Sequence, residues 1–128
     1  KLVAALVAEE GVNEKMAEFI NPVAMLGDQM TKFTTEIGFK GMQNPDEVGA
    51  AAVDYLRVAG HLVFGYLFAR MAQVALREIA AGNTDPFYGA KLQTARFYFA
   101  KLFPETATLM RTARAGSKVL MDTDLALA

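Results

Sequence analysis

Asn44-Pro45-Asp46-Glu47-Val48-Gly49-Ala50-Ala51-Ala52-Val53-Asp54-Tyr55-Leu56-Arg57-Val58-Ala59-Gly60-His61-Leu62-Val63-Phe64-Gly65-Tyr66-Leu67-Phe68-Ala69-Arg70-Met71-Ala72-Gln73-Val74-Ala75-Leu76-Arg77-Glu78-Ile79-Ala80-Ala81-Gly82 has no proline after its second residue. The opening reads as a helix start. Asn44 can cap, Pro45 suits the first helical position, and Glu47 sits where a capping-box acid reaches back. Gly82 is placed to end the helix. At ~1.5 Å per residue, an unbroken helix here is about 55 Å long. A helix of that length meets different neighbours along its course.

The charges suggest where the neighbours change. At ~100° per residue, Glu47, Asp54, Arg57 and His61 share one side, and Arg70, Gln73 and Arg77 lie roughly opposite. Between them, Val58 to Ala69 is apolar on nearly every face apart from His61. A helix with water along one side keeps one polar stripe. This pattern predicts a helix that changes its exposed side halfway. Its central band is then packed on both sides, within its own bundle or against a partner.

Composition bounds the rest. The 128 residues suit one domain with a real core, and a 53% hydrophobic share against 21% charged argues against disorder. A net charge of -1 offers no general attraction to nucleic acid. The absence of cysteine excludes disulfides, thiol nucleophiles and thiolate metal sites, and it is compatible with a reducing cytoplasm. The apolar run between Arg57 and Arg70 is shorter than the ~20 residues of a membrane span, so none is expected. The start, Lys1 to Ala8, meets Glu9-Glu10-Gly11 without a cleavage-site pattern, and it lacks an initiator Met. A fragment or processed chain is the expectation.

Residues 2–10 predict a short helix, or the tail of one, ending at Gly11. From Asn13, Met16, Phe19, Val23, Leu26, Met30, Phe33 and Ile37 recur at steps of three and four, which predicts an amphipathic helix. The apolar phase continues across Asn21-Pro22, so a kink is expected there. The short turn before Asn44 makes the next helix antiparallel. Asn83-Thr84-Asp85-Pro86 starts a third long helix, with Tyr88, Leu92, Ala95, Phe99 and Leu102 on one stripe. That stripe continues through Thr106, Leu109 and Ala113, past Pro104, as a second kink. Gly116 is the expected stop, and Lys118 to Ala128 is expected to fray. No period-two run suggests a strand. The fold class is all-α: an up-and-down antiparallel bundle of three long helices, two kinked, plus a short N-terminal one.

Candidate chemistry is sparse. His61 is the only histidine, with Val58 three residues before it, so the two Glu-x-x-His pairs of a di-iron bundle are missing. Haem held by His61 and a methionine is an alternative, although methionine at helical spacing more often fills a core. The bland reading of His61 is a half-buried residue bonded to a neighbour. The only serine, Ser117, lies at the edge of the tail, away from any triad pattern. Gly60 and Gly65 lack the ending of a phosphate loop. Phe97, Tyr98 and Phe99 point in different directions on a helix and read as core or interface. Arg57, Arg70, Arg77 and Arg96 are expected to pair with acids such as Asp54, Glu78 or Glu105. Glu9-Glu10 and Asp46-Glu47 read as solvated or capping carboxylates.

Two segments carry a more specific pattern. One is Pro45 to His61, continued by Gly65-Tyr66-Leu67-Phe68-Ala69-Arg70-Met71-Ala72. The other is Lys91-Leu92-Gln93-Thr94-Ala95-Arg96-Phe97-Tyr98-Phe99 with Leu102-Phe103-Pro104-Glu105-Thr106 and Ala115-Gly116. Together they resemble the extra helical domain at the C-terminus of the larger bacterial acyl-CoA dehydrogenases, over about Met16 to Gly116. The resemblance implies that residues 1–128 are one helical domain from a longer cytoplasmic flavoenzyme. In that family a carboxylate removes the α-proton of an acyl-CoA and FAD takes the β-hydride, and electrons pass to an electron-transfer flavoprotein or similar acceptor. The catalytic glutamate lies in the main body, so no catalytic, FAD-binding or metal-binding residue is carried over here. The implied role is packing and oligomerisation, possible also beside the acyl-CoA entrance. Val58, His61, Leu62, Phe64, Gly65 and Phe68 are then the expected interface with the catalytic body or with a second subunit in a homodimer. The rival reading is a stand-alone helical interaction module.

Overall fold

The computed structural model describes residues 1–122. Its elements are α1 (Leu2–Glu10), a 3-10 turn (Glu14–Met16), α2 (Ala17–Gln43), α3 (Asp46–Ala80), α4 (Pro86–Phe97), a π turn (Tyr98–Leu102), α5 (Glu105–Ala113) and α6 (Lys118–Met121). There is no strand among the described residues, and the fold is the expected all-α bundle. The tail expected to fray begins with the short α6, and its residues 123–128 lie outside the described part.

α2 forms because its apolar residues fall on one stripe. Phe19, Val23, Leu26, Met30, Phe33 and Ile37 are all buried, and so is Met16 just before the helix. The helix runs through Pro22, with Ile20 and Val23 buried on either side of it. Burying side chains of this size stabilises by ~1.5–3 kcal/mol each, enough to offset one lost backbone bond. Asn44 is extended, and its side chain accepts from the Asp46 N–H at 3.1 Å, which starts α3. α3 then returns antiparallel. Gly41 lies beside Val48, Thr34 bonds Tyr55 at 2.7 Å, Gly27 lies beside Leu62 and Val23 beside Gly65. Each step forward along α3 matches a step back along α2.

Glu47 does not close a capping box. Its carboxylate accepts from the Ser117 N–H at 3.1 Å and the Ser117 hydroxyl at 2.6 Å, clasping the chain's last turns to the start of α3. At the other end Gly82 takes φ +89°, a conformation that favours glycine, and α3 stops. Asp85 accepts from the Phe87 N–H at 2.9 Å and Pro86 begins α4.

The third long segment shifts phase within its course. Of the expected stripe, Leu92, Ala95, Thr106, Leu109 and Ala113 are buried and Phe99 packs inward, but Leu102 is 48% exposed, and Tyr98 and Phe103 are buried instead. The cause is the π turn, in which Phe103 N–H donates to the Tyr98 carbonyl five residues back, at 2.9 Å. A wider turn holds one more residue, so the inward position there passes from Leu102 to Phe103. Pro104 follows at once, where its ring and missing N–H would otherwise disturb the previous helical turn.

Two core clusters fill the bundle. One gathers Leu26, Phe33, Val58, Tyr98, Phe103 and Leu109, and the other Leu6, Met16, Phe19, Ala69, Leu92 and Ala95. Phe68 and Phe99 pack against both and join them. α3 is the common wall, packed against α2, α4 and α5.

Candidate functional site

The charges on α3 face its neighbours in the bundle. Arg57 pairs with Glu105 of α5, and Asp54 accepts from the Thr112 hydroxyl at 2.8 Å. On the opposite flank Arg70 pairs with Glu9 of α1, and Gln73 and Arg77 both donate to Glu10, at 2.7 and 2.8 Å. These polar residues mark the two seams of α3, so the inference of a helix that changes its solvent side is corrected. Glu9 and Glu10 likewise clamp α3, Glu9 from an exposed side chain and Glu10 as a buried rather than a solvated carboxylate. Hydrogen bonds from Arg70 first and Gln73 next hold the Glu9 carboxyl below the ordinary range. For Glu10 the main cause is the Gln73 bond, then that from Asn13. The expected pairing of arginines with acids holds: Arg57 takes Glu105, one of the acids expected, while Arg70, Arg77 and Arg96 take Glu9, Glu10 and Glu18, and Glu78 accepts from Asn83.

With its charges committed to the seams, α3 turns an apolar face outward. Val53, Leu56, Val63, Phe64, Leu67 and Val74 are exposed, from 53% at Leu67 and Val74 to 73% at Val53 and Leu56. Gly60 and Met71 fill the remaining steps, and the spacing of three and four keeps all eight on one side. The stripe carries no charge along this length. A hollow of about 520 Å³ lies beside its first half, lined by Val48, Ala52, Leu56, Tyr55, Thr34 and Ile37. A smaller one of about 250 Å³ lies beside its second half, between Met71, Val74, Phe87 and Tyr88.

The interface residues expected from sequence are mostly spent inside the chain. Val58 is fully buried, and Gly65 lies against Val23 and Phe103. Phe68 stacks on Tyr98 with centroids 4.4 Å apart, and Leu62 is half-buried beside Gly27. Only Phe64 stands on the outward stripe. Sequence reasoning did not single out Val53, Leu56, Val63, Leu67 and Val74. The signal that finds them is their common angle on the helical wheel, once the charges are assigned to the seams.

His61 bridges α3 to the π turn. Its Nε2–H donates to the Glu105 carboxylate at 2.8 Å, and its Nδ1 meets the Tyr98 hydroxyl at 3.0 Å. The Tyr98 hydroxyl also lies 3.1 Å from the His61 carbonyl, to which it can donate. Burial pushes the Tyr98 phenol up to about 12, and the bond from His61, with Arg57 nearby, holds Glu105 low. Both ring nitrogens are engaged, which leaves neither free for iron in the haem alternative. The cluster ties three elements together at the point where the helical phase changes.

A family model described as acetyl-CoA dehydrogenase C-terminal like matches residues 1–124. The chain belongs to that family. No curated protein matches it. Membership in the acetyl-CoA dehydrogenase C-terminal-like family accounts for the resemblance seen in the two sequence segments. The hollow beside Thr34 and Tyr55 does not fit a flavin: it is lined by apolar residues and one hydroxyl pair, with no cation to meet a pyrophosphate. By length and composition alone, α3 of this acetyl-CoA dehydrogenase C-terminal-like chain does reach what a membrane crossing needs, contrary to the expectation drawn from the Arg57–Arg70 run. Buried core helices pass the same test, and α3 has one side packed into the bundle.

Proposed function

We propose that this chain is the C-terminal accessory domain of an FAD-dependent acyl-CoA dehydrogenase, in which it packs and assembles the enzyme. The α,β-dehydrogenation of acyl-CoA thioesters belongs to the parent's catalytic body, together with the FAD and the electron-transfer flavoprotein or similar acceptor, in the cytoplasm. The observation that supports this reading most is the uncharged stripe from Val53 to Val74 on a helix whose other faces are already packed. Apolar patches of a few hundred Å² are often functional contact surfaces, and this one has no charge to interrupt it. Among the six interface residues expected from sequence, Phe64 keeps that role, joined by Val53, Leu56, Val63, Leu67 and Val74.

The test is the coding sequence upstream of Lys1 and the activity of its product. The longer protein is expected to bind FAD and dehydrogenate an acyl-CoA, and the chain alone to give no turnover with added FAD. An upstream region without a flavoenzyme, or turnover by the chain alone, overturns the assignment.

A further inference from the structure

We propose that the apolar stripe of α3 is covered by the same stripe of a second copy, running antiparallel about a two-fold axis at Val63–Phe64. This deepens the accessory-domain reading and rests on its premise that the stripe is a covered face.

The pattern of sizes along the stripe reverses onto itself. With the axis between Val63 and Phe64, Val53 meets Val74 and Leu56 meets Met71. Gly60 meets Leu67, and Val63 meets Phe64. The missing side chain of Gly60 thus faces the branched Leu67, a knob over a gap, repeated twice by symmetry. Nothing in the chain itself comes within 4 Å of a Cβ built at Gly60, so that gap is open. A parallel pairing instead sets Gly60 against Gly60 and Leu67 against Leu67, leaving a void and a clash.

The length of the stripe agrees with a rod of equal length as occupant, and the area needs more than the helix pair alone. The stripe runs for ~32 Å, and a helix face ~11 Å wide makes it about 350 Å² per copy. A standard interface takes about 800 Å² per partner, so the helix pair alone is too small. The two hollows extend the contact sideways over Val48 at one end and Phe87 at the other, both about half exposed. In the antiparallel arrangement, the end bearing one hollow faces the end bearing the other.

The natural absence of cysteine makes the test direct. Val63→Cys is expected to give a covalent dimer on oxidation or with a short bis-maleimide. Val53→Cys and Val74→Cys should each stay uncrosslinked alone, since each lies ~32 Å from its symmetry mate, and should link when mixed. Light scattering should report two chains for the unmodified protein and one for Leu67→Glu, with the same helical circular dichroism. Self-linking of Val53→Cys, or a single-chain mass for the unmodified protein, overturns the inference. Flotation of the unmodified chain with phosphatidylcholine vesicles assigns the stripe to lipid and overturns it too. The accessory-domain reading fails separately, on the upstream sequence.

Discussion

A methyl group added to Gly65 would stand 2.9 Å from Cε2 of Phe103 and 3.1 Å from Cγ2 of Val23. This glycine lets α3 approach both α2 and the segment after the π turn. Gly65→Ala is therefore expected to destabilise by about 1–3 kcal/mol through overpacking, despite alanine's better helix propensity. Gly89→Ala, on α4 with nothing within 4 Å, should instead stabilise by about 0.5–1 kcal/mol. Urea unfolding of the two variants should give opposite shifts in midpoint.

The phase change at the π turn separates two adjacent residues. Phe103 is buried and Leu102 is half exposed. Phe103→Ala should cost about 3–5 kcal/mol, and Leu102→Ala within about 0.5 kcal/mol. Equal losses in thermal or urea unfolding would mean that the segment follows the plain helical phase instead.

The carboxyls of Glu9, Glu10, Glu36, Glu47 and Glu105 are all held below the ordinary value in the fold. The unfolded chain then binds more protons at acid pH, so stability rises with pH there. Their contribution is complete above the unfolded carboxylate value of about 4.3, and it is lost as pH falls through the lower folded values. The urea midpoint should hold from pH 7 to about 5 and then decline. Glu105→Gln should make that decline shallower, and an unchanged slope would count against the His61 and Arg57 bonds as its cause.

Tyr98 should ionise late, since burial pushes its phenol up to about 12. In a spectrophotometric titration, Tyr98→Phe should remove the phenolate absorbance that appears near that pH. The same variant loses the hydroxyl that meets His61, at about 0.5–1.5 kcal/mol of stability.

Much of the fold was legible because it is local. The seven apolar positions from Met16 to Ile37 repeat at a helical step, and all seven are buried. Gly82 and the Asp85-Pro86 pair mark boundaries through backbone geometry that any neighbourhood would respect. The phase between Ala95 and Thr106 was not legible, because a π turn leaves the same residue types in place and only inserts a step, whereas Thr106, Leu109 and Ala113 are buried as their spacing predicts. Which face of α3 points outward was not legible, for a non-local reason. Arg70 and Arg77 look like solvent-facing charges until Glu9 and Glu10, more than sixty positions earlier, fold onto them. Phe64 stands on the outward stripe because its angle belongs to neither seam.

The clasp of Ser117 onto Glu47 and the clamp of Glu9 and Glu10 onto Arg70, Gln73 and Arg77 sit at opposite ends of one rigid strut. Glu47 and Arg70 are separated by ~35 Å of helix, well beyond the range at which side chains feel each other's loss. Each fastening can therefore come undone while the other stays shut. Amide exchange should reveal two autonomous fraying zones, with the stretch of α3 between them the last to open.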